Sequence, residues 1–194
     1  MPLRPIAVAF ALTLAFDRST ATGRAVREIP PPPRVAAPAA DSVLGFRLSD
    51  QFGRAHDAAD YRGRALLLVG AGRGGRAAGT AWVETLRGLQ LDSAETAAIP
   101  VVAVADLRGV PRLFRRVVRG RFPDDRRRVV LLDWHGSVAR RLGFDAERCT
   151  IVLVGPDGRP GARTSPATVD TAAAQELLRQ AAALAPVASS GSPQ

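Results

Sequence analysis

The amino-acid sequence predicts an α/β fold in which helices flank a mixed central sheet. Short, almost continuous apolar runs have the length and composition of strands that are buried on both faces. These runs occupy residues 65–69, 99–107, 129–134 and 149–154. Stretches with a helical spacing of apolar residues separate the runs, and a pair of short strands precedes them. This order favours a single α/β domain, which also suits the chain length of 194 residues.

The first half of the domain begins with the strand pair and continues into a buried strand and a helix. Residues 46–56 read FRLSDQFGRAH, in which a turn at Gly53 joins two short strands. Residues 65–69 suit a central parallel strand that is covered on both faces. From residue 77 to residue 90, apolar residues recur at spacings of three and four. This pattern predicts a helix whose apolar face consists of Ala78, Trp82, Leu86 and Leu89.

The second half of the domain alternates strands and helices and ends in a hairpin and a helix. Apolar residues alternate with arginines over residues 110–122, which predicts an amphipathic helix with an apolar face formed by Leu113, Phe114, Val117 and Val118. A short helix is predicted over 137–142. The turn GPDG at 155–158 is expected to lead the last buried strand into a hairpin. A closing helix is predicted over 168–184.

Residues 1–23 have the order of a secretory signal peptide. Arg4 precedes the apolar run 6–16, and small residues including Ala21 and Gly23 follow it. The run is shorter than the roughly 20 residues that span a bilayer. We therefore expect cleavage and export to a periplasmic or extracellular location, with membrane contact only through this signal. An ordinary buried or frayed N-terminal segment is the alternative.

The rest of the chain divides into a linker, a domain and a tail. Prolines at positions 30–33 and 38 favour an extended, semi-rigid linker over residues 24–43. The predicted domain spans residues 44–185. Residues 186–194 are small and polar, and we predict that they form a disordered tail.

The chain is strongly basic, with a formal net charge of +9 and a pI near 11.5. All 27 basic residues are arginine, and the sequence contains neither lysine nor asparagine. Such usage is typical of a genome that avoids A/T-rich codons, so the charge by itself is a weak functional signal. The densest basic stretch, from Arg112 to Arg128, is interpreted as a solvated helix face or as a patch for an acidic partner protein, anionic lipid or nucleic acid. Nucleic acid is disfavoured because few aromatic residues accompany the arginines.

The loop after the first central strand, GAGRGGR, is rich in glycine and arginine. Gly70, Gly72 and Gly75 match the G-x-G-x-x-G spacing of dinucleotide-binding loops. Such loops also need an acidic residue about 20 positions further on. Here the next strand ends at Asp106, 31 residues after Gly75. A strand pair also precedes this strand, whereas dinucleotide-binding domains usually begin with it, so the nucleotide interpretation is disfavoured.

A second interpretation of the same loop is a site for a small anion. Backbone amides at the start of the helix, with Arg73 and Arg76 beside them, suit a carboxylate or a phosphate. Loops that follow parallel strands open at the same end of the sheet, which is expected to bring residues 70–76 close to Asp106 and Arg108. A glycine loop that only turns the chain is the simpler alternative.

Two segments of the chain carry a resemblance to a known family. Residues 46–72 contain the pattern apolar-x-Leu-x-Asp-x-x-Gly, a Tyr-x-Gly-basic turn and an apolar strand, and residues 149–160 read CTIVLVGPDGRP. These segments resemble thioredoxin-like redoxin domains of the AhpC/TSA-like type. The resemblance implies a thioredoxin-like sandwich over about residues 44–185. The family's cis-proline falls on Cys149, and its Cys-x-x-Cys falls on Gly75, Arg76, Ala77 and Ala78.

The missing cysteines bear directly on activity. A dithiol enzyme needs a low-pKa thiolate at a helix N-terminus and a second thiol that resolves the mixed disulfide. Cys149 is the only cysteine in the sequence, so no internal disulfide can form. The sequence therefore predicts an exported thioredoxin-like domain that has lost dithiol redox chemistry and serves as a binding or accessory module.

Two alternative functions stay open at the level of the sequence. In the first, Cys149 faces the groove of the family's active site and acts alone, with an external thiol, as a redoxin or peroxidase. In the second, the loop 70–76 binds an anion or a nucleotide. No cofactor is predicted, and no metal site, because His56 and His135 show no ligand spacing with Cys149. The oligomeric state is not predicted.

Overall fold

The computed structural model describes residues 43–184. The predicted signal peptide (1–23), the linker up to residue 42 and the predicted tail (186–194) lie outside the described residues. The predicted domain, 44–185, falls within the described part of the chain except for its last residue. Among the described helices, none is long and apolar enough to cross a membrane.

Helices lie on both faces of a seven-stranded mixed sheet, as the sequence predicts. The strands are β1 (Arg47–Asp50), β2 (Ala55–Asp57), β3 (Leu66–Ala71), β4 (Val101–Asp106), β5 (Val130–Asp133), β6 (Cys149–Val154) and β7 (Pro160–Thr164). The α-helices are α1 (Arg76–Leu91), α2 (Arg115–Arg119), α3 (Ser137–Arg141) and α4 (Thr171–Leu184). Single 3₁₀ turns occupy Ala58–Tyr61 and Arg112–Phe114. The strand order across the sheet is β2-β1-β5-β4-β3-β6-β7.

The register of the central strands determines which loops meet. β3, β4 and β5 run parallel to one another, whereas β6 runs antiparallel to β3. Ala71, at the end of β3, pairs with Ala105 of β4 on one side and with Cys149 of β6 on the other. The ends of β3 and β4 and the start of β6 therefore meet at one end of the sheet, which we call the loop end.

Both faces of β3 are buried, which confirms its predicted central position. Leu67 and Val69 pack into a core beneath α1 and α4, together with Trp82. Leu66 and Leu68 pack into a second core, to which α3 contributes. These four side chains alternate because successive residues of a strand point to opposite faces of the sheet.

The helix predicted over residues 110–122 is wrong in length and in packing. The structure instead has a 3₁₀ turn followed by the five-residue helix α2. Three apolar side chains of this segment are exposed: Leu113 by 84%, Phe114 by 53% and Val117 by 58%. α1 and α4 cover one face of the sheet and α3 lies on the other. No core residue comes from this segment, although its apolar spacing is helical.

The closing helix also begins later than the sequence predicts. The Asp170 carboxylate accepts hydrogen bonds from the N–H groups of Ala172, at 2.9 Å, and Ala173, at 3.3 Å. A side chain that satisfies these first N–H groups marks the start of a helix. α4 therefore starts at Thr171 rather than at residue 168.

Candidate functional site

A short segment, residues 144–148, crosses the loop end of the sheet between α3 and β6; we call it the strap. The strap lies directly against the glycine loop that connects β3 to α1. The Gly74 N–H donates a hydrogen bond of 3.2 Å to the Ala146 carbonyl oxygen. The loop and the strap are thus joined by their backbones, although more than 70 residues separate them in the chain.

Glycine is required along this loop because the strap leaves no room for a Cβ atom. A Cβ atom at Gly72 would lie 2.7 Å from the Ala146 carbonyl oxygen, and one at Gly75 would lie 2.6 Å from the Cys149 nitrogen. Gly70 is packed in the same way against an aromatic ring of the strap. None of these three glycines has a positive φ. Close packing against backbone at Gly72 and Gly75 and against the Phe144 ring at Gly70, rather than an unusual conformation, therefore accounts for the three glycines.

A buried threonine holds the strap from the sheet side. Thr150 is fully buried at the second position of β6. Its hydroxyl oxygen accepts a hydrogen bond from the Asp145 N–H at 3.3 Å and lies 3.2 Å from the Ser165 hydroxyl oxygen. The Asp145 carboxylate in turn accepts the N–H of Glu147 at 2.8 Å, which shapes the turn of the strap. Sequence reasoning passed over Thr150, which only follows the position of the family's proline.

Cys149, the candidate catalytic residue, is a core residue. Its side chain has no exposed surface and belongs to the core beneath α1 and α4. Its sulfur lies 3.9 Å from the place where a Cβ atom of Gly79 would sit, so the thiol points towards α1. Burial raises the pKa of the Cys149 thiol from an ordinary 9.0 to about 11. The thiol is therefore protonated at neutral pH, and a protonated thiol is a poor nucleophile.

The helix position that carries the sulfurs in the family holds none here. α1 begins at Arg76 with Gly75 as its N-cap, and no side chain caps it. Gly79, the fourth residue of α1, packs against Ala71 and the Cys149 sulfur. Among the described residues there is no cis peptide bond, so the bond before Cys149 is trans.

Arg73 and Arg76 of the glycine loop both line a concavity at the start of α1, but Arg76 is also held by another part of the chain. Arg76 donates a hydrogen bond of 3.1 Å to the Arg121 carbonyl oxygen, and its guanidinium lies 5.7 Å from the centre of the Phe122 ring. Arg73 is exposed. The anion site at Gly72, Arg73, Gly75 and Arg76 stays a prediction, with Arg76 already engaged by the chain itself.

Asp106 and Arg108 lie at the same end of the sheet as the glycine loop, as the parallel strands require. Arg108 Nε lies 2.8 Å and Arg108 Nη2 lies 2.6 Å from one oxygen of the Asp106 carboxylate. Arg108 Nη2 also lies 3.5 Å from the Phe144 carbonyl oxygen of the strap. The two residues therefore neutralise each other and tie the end of β4 to the strap.

Comparison with family models and with curated protein sequences finds no match for the chain. Solved structures do match it. The pneumococcal exposed lipoprotein thioredoxin Etrx1 from Streptococcus pneumoniae has a TM-score of 0.54 and 17% identity, over 71% of this chain and 99% of its own. A putative thiol:disulfide interchange protein DsbE from Chlorobium tepidum has a TM-score of 0.53 and 16% identity, over 74% and 96%. Peroxidoxin BcpB from Mycobacterium tuberculosis has a TM-score of 0.51 and 20% identity, over 75% and 96%.

The chain has a thioredoxin-like fold. This confirms the α/β sandwich that the segments 46–72 and 149–160 imply. Structural matches at or below 20% identity establish the fold of this chain but not its activity.

Two buried carboxylates of the thioredoxin-like domain have structural partners rather than a free oxygen for catalysis. Asp133, at the end of β5, accepts hydrogen bonds of 2.8 to 3.1 Å from the N–H groups of Ser137, Val138 and Ala139 and from the Ser137 hydroxyl. It thereby caps the start of α3. The sequence offered a signal for this, an acidic residue just before a glycine turn and a helix.

Asp50, the acidic residue of the family-like opening motif, shapes the turn between β1 and β2. Its carboxylate accepts the N–H groups of Phe52 and Arg54 at 2.9 Å, and His56 Nε2 lies 3.1 Å from it. Burial acts to raise the pKa of Asp50, but the hydrogen bonds from His56 and from the two N–H groups outweigh it and leave the pKa below 3.8. Asp50 is therefore ionised at neutral pH, and its carboxylate stabilises the turn between β1 and β2.

Neither histidine joins Cys149 in a ligand cluster. Among residues 43–184, no three His, Cys, Asp or Glu side chains come together in a group that would hold a metal ion. His56 pairs with Asp50, and His135 lies exposed after β5.

Proposed function

We propose that this chain is an exported thioredoxin-like domain that does not perform dithiol–disulfide exchange and acts as a binding or accessory module. One observation carries the proposal: the only thiol of the chain is buried in the central sheet. Redox activity in this fold requires a thiolate that an incoming disulfide or peroxide reaches. Cys149 lacks the accessibility, and its raised pKa removes the thiolate at neutral pH.

The strap supports the same proposal. It packs on Gly75, the N-cap residue of α1, where the family places its attacking sulfur. A disulfide substrate approaching Cys149 from the loop end would have to displace residues 144–148. That displacement breaks the hydrogen bonds of Gly74 and Thr150 and exposes an apolar core strand.

Single-cysteine chemistry at Cys149 is the competing function, and thiol accessibility separates the two. We expect a chromogenic aromatic disulfide to react with folded protein about a thousandfold or more slowly than with protein in denaturant, because opening a core strand costs several kcal/mol. The control is Cys149→Ala/Ala183→Cys, which moves the single thiol to an exposed position of α4. The control thiol should react at nearly the same rate in both states.

Turnover is the second arm of the experiment. Wild-type protein should not accelerate the reduction of insulin by dithiothreitol, while a redox-active thioredoxin does so in the same assay. Hydrogen peroxide consumption should be the same for wild type and Cys149→Ser. Rapid native labelling of Cys149, together with peroxide consumption that disappears in Cys149→Ser, would replace this proposal by the single-cysteine enzyme.

Export forms part of the proposal and rests on the basic, apolar and small order of residues 1–23. Two proteins of similar structure are an exposed lipoprotein thioredoxin from Streptococcus pneumoniae and a secreted thiol-disulfide isomerase from Corynebacterium glutamicum. Expression of the full chain in a bacterium, followed by fractionation and N-terminal sequencing, tests it. We expect periplasmic protein that begins shortly after residue 21; cytoplasmic protein with residue 1 intact would contradict export.

A further inference from the structure

Residues 111–120, which we call the α2 segment, are more exposed than the helices that cover the sheet. Eight of these ten residues are exposed, and neither the 3₁₀ turn nor α2 contributes a buried residue. Exposed apolar residues that occur singly are normal on a protein surface. Leu113, Phe114 and Val117 are instead neighbours on a single helical segment, and all three are more than half exposed.

The orientation of the α2 segment is determined by its two half-buried residues, Arg115 and Val118. The Arg115 guanidinium lies 5.2 Å from the centre of the Trp134 ring, in a cation–π contact that faces the domain. Residues three apart lie on one side of a helix. The opposite side, which faces away from the domain, therefore presents Leu113 and Val117, with Arg116 beside them.

The chain that follows the α2 segment is fastened to the domain. Arg76 donates to the Arg121 carbonyl oxygen, and Arg87 donates to the Arg127 carbonyl oxygen at 3.3 Å. Gln51 donates to the Arg128 carbonyl oxygen at 2.7 Å. The α2 segment is therefore an exposed segment whose C-terminal side is anchored to the domain by hydrogen bonds.

The arginines of this region fall into two groups. Arg108 and Arg128 form ion pairs, with Asp106 and Glu84 respectively. By contrast, no carboxylate of residues 43–184 forms an ion pair with three exposed arginines of the α2 segment, which are Arg112, Arg116 and Arg119. The stretch from residue 110 to 122 contains five arginines and no acidic residue.

We propose that the α2 segment docks on the surface of an anionic phospholipid bilayer. Leu113, Phe114 and Val117 enter the boundary between headgroups and acyl chains, and the exposed arginines bind lipid phosphates. Charge complementarity favours this occupant, since Arg112 and Arg116, which pair with no carboxylate of residues 43–184, adjoin Leu113 and Val117 in the chain. This gives the domain a lipid contact besides the predicted signal peptide.

An acidic groove of a partner protein fits the α2 segment less well. Helices that bind in grooves use anchors at i, i+3 or i+4, and i+7. The position seven residues after Leu113 is Gly120, and the position seven after Phe114 is Arg121. The segment thus provides anchors for about one turn, which suffices for shallow insertion into a bilayer but not for a helical groove.

Vesicle flotation of the full chain tests the proposal with matched variants. The vesicles contain equal parts phosphatidylglycerol and phosphatidylcholine, or phosphatidylcholine alone. Arg112→Gln/Arg116→Gln should weaken partitioning onto anionic vesicles about 25-fold, since each arginine near an anionic surface contributes a factor of about five. The control, Arg62→Gln/Arg64→Gln, removes the same charge from exposed residues just before β3, at the opposite end of the parallel strands. It should weaken partitioning less than about threefold, because the charge it removes is distant from the docked surface.

The apolar contribution is tested by Leu113→Ser/Val117→Ser, which should weaken partitioning about tenfold without loss of charge. Equal losses for the α2 and control arginine pairs would overturn the proposal, because binding would then follow net charge or the N-terminal segment. A second outcome would also overturn the proposal: the protein binds soluble poly-glutamate but not vesicles, and this binding requires Arg112 and Arg116 but not Leu113 and Val117. That outcome would indicate an acidic protein partner. The proposal does not depend on the state of Cys149, so it stands or fails independently of the proposed loss of redox chemistry.

Discussion

The strap region and the α2 segment both combine arginine with small or apolar residues, yet they are opposite in their packing. At the strap, Gly72 and Gly75 allow two stretches of backbone to touch, Gly70 makes room for the Phe144 ring, and Cys149 has no exposed surface. In the α2 segment, eight of ten residues are exposed, and Leu113 is 84% exposed. The strap packs closely on Gly72 and Gly75 although its residues 145–148 are themselves exposed, whereas the α2 segment contributes no buried residue at all.

The contrast shows where function is to be sought in this domain. The strap leaves no space for an added methyl group at Gly72 or Gly75. The α2 segment has exposed apolar and charged side chains that contribute nothing to the core. Substitutions at the strap should therefore affect stability, whereas substitutions in the α2 segment should affect binding.

The largest expected effect follows from adding one methyl group at the strap. Gly75→Ala should lower the free energy of unfolding by about 3 kcal/mol, because its Cβ atom would overlap the backbone of Arg148 and Cys149. Chemical denaturation monitored by circular dichroism measures the loss. The control is Gly88→Ala within α1, where no atom lies within 4 Å of the added Cβ. It should raise stability by about 1 kcal/mol, the usual advantage of alanine in a helix. A neutral Gly75→Ala would show that the strap yields easily.

The pH dependence of stability should reveal the buried thiol. The folded state keeps the Cys149 proton to about pH 11, whereas the unfolded thiol loses it near pH 9.0. Stability from this group is therefore complete below pH 9 and declines as the pH rises towards 11, by about 2–3 kcal/mol in total. Denaturation of wild type and Cys149→Ala at a series of alkaline pH values measures the difference. Parallel stability curves for the two proteins would indicate an accessible thiol.

A smaller effect is expected at the hydroxyl that holds the strap. Thr150→Val keeps the shape of the side chain but leaves the Asp145 N–H without its acceptor, so the free energy of unfolding should fall by about 1–2 kcal/mol. Thr80→Val, on the exposed side of α1, is the matched control and should change stability by less than about 0.5 kcal/mol. If the two variants were equally stable, the hydroxyl would not be what holds the strap.

The smallest effect on stability is expected in the α2 segment. Leu113→Ser and Val117→Ser should each change the free energy of unfolding by less than about 0.5 kcal/mol, because both side chains are largely exposed. Leu86→Ala, in the core beneath α1, should cost about 2–5 kcal/mol in the same denaturation experiment. A large loss at Leu113 or Val117 would mean that the segment packs on the domain and is not a free surface.

Local sequence patterns were sufficient for the strands and for much of the domain order. The apolar runs at β3 and β6, the turn after β6 and the apolar face of α1 follow from residue spacing, because backbone geometry sets those periods over short distances. The single cysteine also excludes an internal dithiol without reference to any structure. These inferences involve residues that are close in the chain, or the mere presence of a residue type.

Only the tertiary structure decided the roles of the glycine loop, of Cys149 and of residues 110–122. The glycines are explained by the strap, whose contact at Ala146 is distant in sequence and depends on how β6 returns beside β3. Cys149 is buried because α1 and α4 cover it. The apolar spacing of residues 110–122 is typical of a buried helix, but other helices already cover the sheet. Burial depends on which surfaces meet across the fold, and a periodic pattern does not contain that information.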